Sequence, residues 1–371
     1  MPSPTPPAPP TDTAEPDPAG QTGLPATAHT GAPVDTGIPV TADTAAPPLT
    51  GSTGLVPTAD TGGLPTADTG PDDDWSFTPP IVAAAPNLVP TVALLHVPSL
   101  QPVRAVVVFE EHVGGAVEYA SADWRDFAAT EGLALLQVEL EPDNGRETAF
   151  DFPDQAALQL VSTLDVAALE SGHPELASVP IVVFGHSAGS QLMVVLAAEL
   201  PDRILGWIGY KGGVRAFNQT QIDNLGLLDP AFLALPGLLV VAEHEPEGLQ
   251  DAAFALETAA RAHDGLVAVA IEIGGLHIAT GTSREITIPF VRELLEVRLS
   301  PTGALVPLAQ ADGWTGHLVH HREPGPPGQW PYERVDSAEI APFGAGTWSD
   351  DEATWLMSED FANTWLAFET P

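Results

Sequence analysis

The sequence predicts an α/β fold, a three-layer α/β/α sandwich in which a mostly parallel sheet carries helices on both faces. Three observations lead there. From about residue 77 the apolar runs are short and continuous rather than alternating, as strands buried on both faces require. Segments with apolar residues at helical spacing fall between those runs. Strand and helix take turns along the chain, the order of a parallel sheet joined by crossover helices.

The elements follow in order. Strands are expected at 92–97, 105–109, 133–140, 181–184, 204–210, 238–242 and 266–273. Between them, residues 121–130 open on Ser121, a capping residue, and keep apolar side chains on one helical face. Residues 154–170, 188–200, 249–263 and 286–297 have the same helical texture. Sheets of this kind place their sites at the carboxyl ends of the strands, so chemistry is sought just after each one.

Composition divides the chain near residue 76. Residues 1–71 contain 16 prolines and 15 threonines but no Lys, Arg, Phe, Trp or Tyr. The phrase Pro-Thr-Ala-Asp-Thr-Gly closes at Gly62 and again at Gly70. Without aromatics, such a segment cannot bury enough apolar surface to offset its chain entropy. Residues 1–76 are therefore expected to form a disordered Thr/Pro/Asp/Gly-rich tether, 77–300 the α/β domain, and 301–371 an extension packing on it. Tethers of this composition resemble those of bacterial surface lipoproteins, which places the protein outside the cytoplasm, extracellular or at a cell surface or periplasm. The opening residues lack the basic then apolar pattern of a signal peptide.

Charge and cysteine content exclude whole classes of function. Of 371 residues, 50 are acidic and 12 basic, a net charge of −38, and there is no cysteine. Disulfides, thiol nucleophiles and thiolate metal sites are out. So negative a surface repels phosphate backbones and anionic lipid, which argues against nucleic-acid partners. No apolar run approaches the roughly 20 residues of a membrane span.

The sharpest motif follows the strand at 181–184. It is Gly185-His186-Ser187-Ala188-Gly189, running at once into a helical segment. A serine hydroxyl becomes a useful nucleophile when it stands clear of the sheet beside a base. An abrupt strand-to-helix turn lifts it there, with Gly185 and Gly189 allowing the close approach. The helix amino terminus also aims free N–H groups at a developing oxyanion.

The serine needs a base, and the base an acid, in the chain order serine, acid, histidine. After the last strand comes Gly274-Gly275-Leu276-His277, a loop free to swing an imidazole over the strand ends, and His277 is the candidate base. His112 and His244, also at strand ends, stand in reserve, while the elbow is expected to turn His186 away. The acid should follow 238–242, where Glu245 has the spacing to reach back and Glu243 is the alternative. For the oxyanion, Ala188 N–H is one donor. The second comes from the loop after 105–109, Val113 first and His112 next, with Gly114 and Gly115 letting that backbone come close.

In these features residues from about 92 to 297 resemble the α/β-hydrolases, the family of esterases, lipases and related serine hydrolases. The resemblance implies eight mostly parallel strands, a Ser187–Glu245–His277 triad, and an acyl-enzyme route that needs no metal or organic cofactor. The sequence departs from the family at the acid, where aspartate is commoner, and at Glu111-His112, where His-Gly is usual.

Substrate follows more loosely. About two dozen residues separate Gly213 from Gly237, too few for a large cap domain, so an open cleft suited to small or polymeric esters is expected. The sole lysine, Lys211, follows a strand and could meet a substrate carboxylate or form an ion pair. Peptidase, acyltransferase and a non-catalytic binding module are the alternatives. His317, His320 and His321 read as a solvated loop in a Gly/Pro-rich stretch, 303–345 as a surface wrap, Trp207 as sheet packing, and 355–368 as a docking helix.

Overall fold

The computed structural model describes residues 74–80, 82–85, 88–90, 92–98, 102–111, 118–142, 152–212, 222, 225–277, 281–325, 331–349 and 353–370. All of them fall in one compact unit. Most of the expected tether lies outside this set. Its last residues do not: Asp74–Phe77 form strand β1, paired antiparallel with β3, Ala93–His96. Trp75 and Phe77 lean on the core there, so composition set the boundary a few residues late.

Among the described residues the main sheet has eight strands. Beyond β1 and β3 they are β4 (Ala105–Glu111), β5 (Leu133–Gln137), β7 (Ile181–His186), β8 (Ile204–Tyr210), β9 (Gly237–His244) and β10 (Val267–Leu276). Their spatial order is β1-β3-β5-β4-β7-β8-β9-β10. β3 runs antiparallel to β5, and every pair from β5 to β10 is parallel. The stretch 133–140 read as one strand, but it breaks at Val138. Leu140–Pro142 is β6, which joins β2, Leu88–Pro90, in a separate two-stranded ladder.

Period-two alternation sends each strand into two cores. Val106, Val108, Val183, Leu239 and Val269 face one side, where α2 (Pro153–Ser171), α3 (Ala188–Glu199) and α5 (Glu247–Arg261) pack. Val107, Phe109, Phe184, Ile208 and Val240 face the other, under α1 (Ala122–Glu131), α6 (Arg284–Val297) and α7 (Glu359–Glu369). Both faces are dry, which is why the strands read as unbroken apolar runs. Between β8 and β9 the described chain forms a single turn, α4 (Pro230–Leu233), whose Phe232 stacks on the buried Trp207.

The extension differs from expectation. Residues 303–345 hold a long antiparallel hairpin, β11 (Trp314–Glu323) and β12 (Tyr332–Pro342), with β13 (Ala353–Leu356) on its other edge. The histidines of β11 therefore lie on a strand. His320 bonds Glu333, and His321 bonds Asp336 and Glu323. The helix at 355–368 starts later, at Glu359. Ser358 caps it by accepting from the Phe361 amide at 3.1 Å, and Glu359 and Asp360 favour the positive helix end. Trp355, Phe361 and Trp365 are buried against the sheet, and Trp365 Nε1 donates to the Val269 carbonyl at 2.6 Å.

Candidate active site

The turn from β7 into α3 carries Ser187 at φ 57° and ψ −123°. A serine held at positive φ is strained, and the surroundings show what holds it. A Cβ on Gly185 would run into the Gly189 backbone, and one on Gly189 into Glu110 of β4. Ser187 N–H donates to the Tyr210 carbonyl at 3.1 Å. Ala188 opens α3, so its N–H belongs to the first-turn amides that find no carbonyl within the helix.

The structure brings the three expected side chains together. Ser187 Oγ lies 3.0 Å from His277 Nε2, across 90 residues of chain. His277 Nδ1 lies 3.0 Å from Glu245 Oε1. A carboxylate only accepts, so Nδ1 carries the imidazole proton and Nε2 is left to accept from the serine hydroxyl. Glu245 is 1% exposed, and its other oxygen accepts the Ala242 amide at 3.1 Å. Glu243 points elsewhere, accepting the Gly274 amide at 2.6 Å. Gln250 donates to the carbonyls of Ala242 and Glu243, pinning the end of β9. His244, between the two acids, packs against Tyr332 with ring centres 5.2 Å apart.

Two residues act differently from their sequence reading. The His186 side chain is not turned away: it is buried, and its Nε2 donates to the His277 carbonyl at 2.9 Å. As the last residue of β7 it points to the face shared with Tyr210, which places it under the histidine loop. Lys211 cannot meet a substrate carboxylate from its position. It is fully buried, ion-paired with Glu272, and donates to the Leu276 carbonyl at 2.9 Å. Burial pushes the Glu272 carboxyl up from its ordinary value, against the pull of Lys211 and the Ser283 and Thr282 amides. Val113, His112, Gly114 and Gly115 lie outside the described residues. Among the described residues no group of three or more His, Asp or Glu could hold a metal, and no helix is long and apolar enough to cross a membrane.

Glu110, Glu272 and Gln250, which all support the site, went unread in the sequence. Their signal is position: Glu110 lies near the end of the strand beside the Ser187 turn, and Glu272 five residues before His277.

No protein-family model and no curated protein matches the chain. Solved structures do. A predicted CIB-like hydrolase from Thermoplasma acidophilum is 15% identical with a TM-score of 0.43, over 59% of this chain and 98% of its own. An esterase of Pyrobaculum calidifontis is 17% identical at 0.42, over 60% and 84%. A dienelactone hydrolase from Anabaena variabilis is 18% identical at 0.41, over 63% and 100%. The chain's own geometry decides the matter: with eight strands in this order, a serine at the sharp turn after β7, and acid and histidine beyond β9 and β10, it has the α/β-hydrolase fold.

Proposed function

We propose that the protein is a serine hydrolase that cleaves carboxylic esters through Ser187, His277 and Glu245. The unbroken hydrogen-bond chain from Glu245 through His277 to Ser187, with both contacts at 3.0 Å, is the observation that carries this reading. It supports a two-step route. Ser187 attacks the ester carbonyl while His277 Nε2 takes its proton. Glu245 stabilises the imidazolium and keeps its own charge. The tetrahedral oxyanion forms beside the α3 amino terminus, where the Ala188 N–H is one donor. Val113 N–H, or that of His112, is the second donor in this reading. The alcohol departs with the proton from His277, and water repeats the cycle on the acyl-enzyme.

The short β8–β9 connection supports an open cleft that takes small soluble or polymeric esters. The Thr/Pro/Asp composition of residues 1–71 supports a tethered or secreted protein. The experiment is labelling with a fluorophosphonate followed by peptide mapping. One adduct per chain is expected at Ser187, none in Ser187→Ala, and labelling slowed by about 10³-fold or more in His277→Ala. Folded wild-type protein that takes no label would refute the reading and favour a binding module. A panel of esters, amides and acyl acceptors then separates esterase from peptidase and acyltransferase.

A further inference from the structure

Lys211 is the only lysine in a chain of 371 residues, and it is fully buried beside an equally buried Glu272. Its Nζ donates to the Leu276 carbonyl at 2.9 Å and sits 4.8 Å from the centre of the Tyr210 ring. Leu276 immediately precedes His277, so this bond grips the peptide that carries the base. The other end of Lys211 reaches the nucleophile. Tyr210, one residue earlier, accepts the Ser187 amide, and Gly212, one residue later, lies so close to the Ser187 backbone that a Cβ would overlap it. Lys211 itself takes φ 45°, a left-handed conformation that favours glycine. One residue thus bridges the serine turn and the histidine loop.

Glu272 closes that loop from the other side. Its Oε1 accepts the Ser283 amide at 2.9 Å, and Gly275 and Gly281 pack against its carboxylate too tightly for any side chain. Among the described residues, Gly275 and Leu276 on one side and Gly281 and Ser283 on the other are therefore gathered around one ion pair. Buried pairs are poor sources of stability, since apolar residues of like volume often replace them without loss. A compact ammonium offers something else: a point charge whose three rotatable donors can be shared between a carboxylate and a carbonyl, where an arginine offers a larger, rigid planar fork.

We propose that the Lys211–Glu272 pair is a positioning device that holds His277 in register with Ser187, a role that rests on the serine-hydrolase reading above. The test is the double variant Lys211→Met/Glu272→Gln, which removes both charges and leaves neither stranded. The expected result is melting within a few degrees of wild type, kcat on a p-nitrophenyl ester lowered at least tenfold, KM within about twofold, and phosphonate labelling of Ser187 slowed in step with kcat. Lys211→Arg, which keeps the charge but not the geometry, should show the same loss of kcat and covers the case of a double variant that does not fold. Wild-type kcat and labelling rate in either folded variant would overturn the proposal and leave the pair as scaffold. Failure of the wild-type protein to label would strike the hydrolase reading instead, so the two failures are distinguishable.

Discussion

Replacing Glu245 by glutamine probes the site at its most constrained atom pair. Glu245 is 1% exposed, so water cannot stand in for a lost partner. Each of its oxygens faces a donor: Oε1 the His277 Nδ1–H at 3.0 Å, Oε2 the Ala242 N–H at 3.1 Å. A carboxylate satisfies both, and a carboxamide can satisfy one. If the amide oxygen turns to His277, its NH₂ opposes the Ala242 amide, and a buried donor is left unpaired at about 1–3 kcal/mol. If it turns to Ala242, the NH₂ donates to Nδ1 and moves the imidazole proton to Nε2, where it cannot accept from Ser187. Loss of the right tautomer costs kcat roughly 10³–10⁴-fold in triads of this design, about 4–5.5 kcal/mol of transition-state stabilisation. In Glu243→Gln the new amide oxygen can still accept from Gly274, a change of about 1 kcal/mol or less and so within about fivefold in rate. The assay is steady-state hydrolysis of p-nitrophenyl acetate by both variants, alongside melting curves. A large loss in Glu243→Gln with near wild-type rates in Glu245→Gln would refute the reasoning.

Three further outcomes concern stability. Gly189→Ala forces a Cβ into the carboxylate and carbonyl of Glu110, so thermal melting should show a loss of about 3 kcal/mol or more. Gly248→Ala near the start of α5, where a Cβ meets nothing within 4 Å, should be neutral or slightly stabilising. The third outcome is pH-dependent. Burial pushes the Glu257 carboxyl up to about 7 against the opposing pull of Arg261 and the Thr354 hydroxyl. A carboxyl raised in the folded state holds a proton that the unfolded chain has already lost, so its contribution falls as pH rises from about 4.5 to about 7. Glu257→Gln should therefore gain over wild type across that window, by at most about 3 kcal/mol at pH 8, read from denaturant unfolding at several pH values. A constant difference between the two proteins at all pH values would contradict this.

How much of this was legible depended on how local the signal was. The elbow reads from five residues because strand, turn, helix and flanking glycines all sit within one stretch around Ser187. His277 is visible because Gly274 and Gly275 precede it; the structure places them inside β10, where the pairing with β9 shifts register between Glu272 and Leu276, and His277 follows directly on the strand's last residue. The acid was ambiguous because Glu243 and Glu245 share a sequence neighbourhood. Only the bend after His244 turns Glu245 back toward Ala242 and His277, while Gly274 takes Glu243. Lys211 was placed at the site, but its partner Glu272 is 61 positions away and no periodicity reports such a pairing. The hairpin β11–β12 escaped because its strands are half exposed and mix histidine, arginine and glutamate with apolar residues, so neither face reads as a clean alternation. Trp314 and Ile340 pack against the core that also holds Trp355, Phe361 and Trp365, a long-range contact that local pattern does not report.

The central claim is that Ser187 attacks and is acylated, and a rapid-mixing burst measurement tests it most directly. With p-nitrophenyl acetate at concentrations well above KM, the account predicts a burst approaching one p-nitrophenol per chain whenever deacylation is slower than acylation. Acid quenching within the burst and peptide mass analysis should then find an acetyl group on Ser187. Turnover at wild-type rate by Ser187→Ala, or an acetyl group on another residue of the wild-type chain, would contradict it.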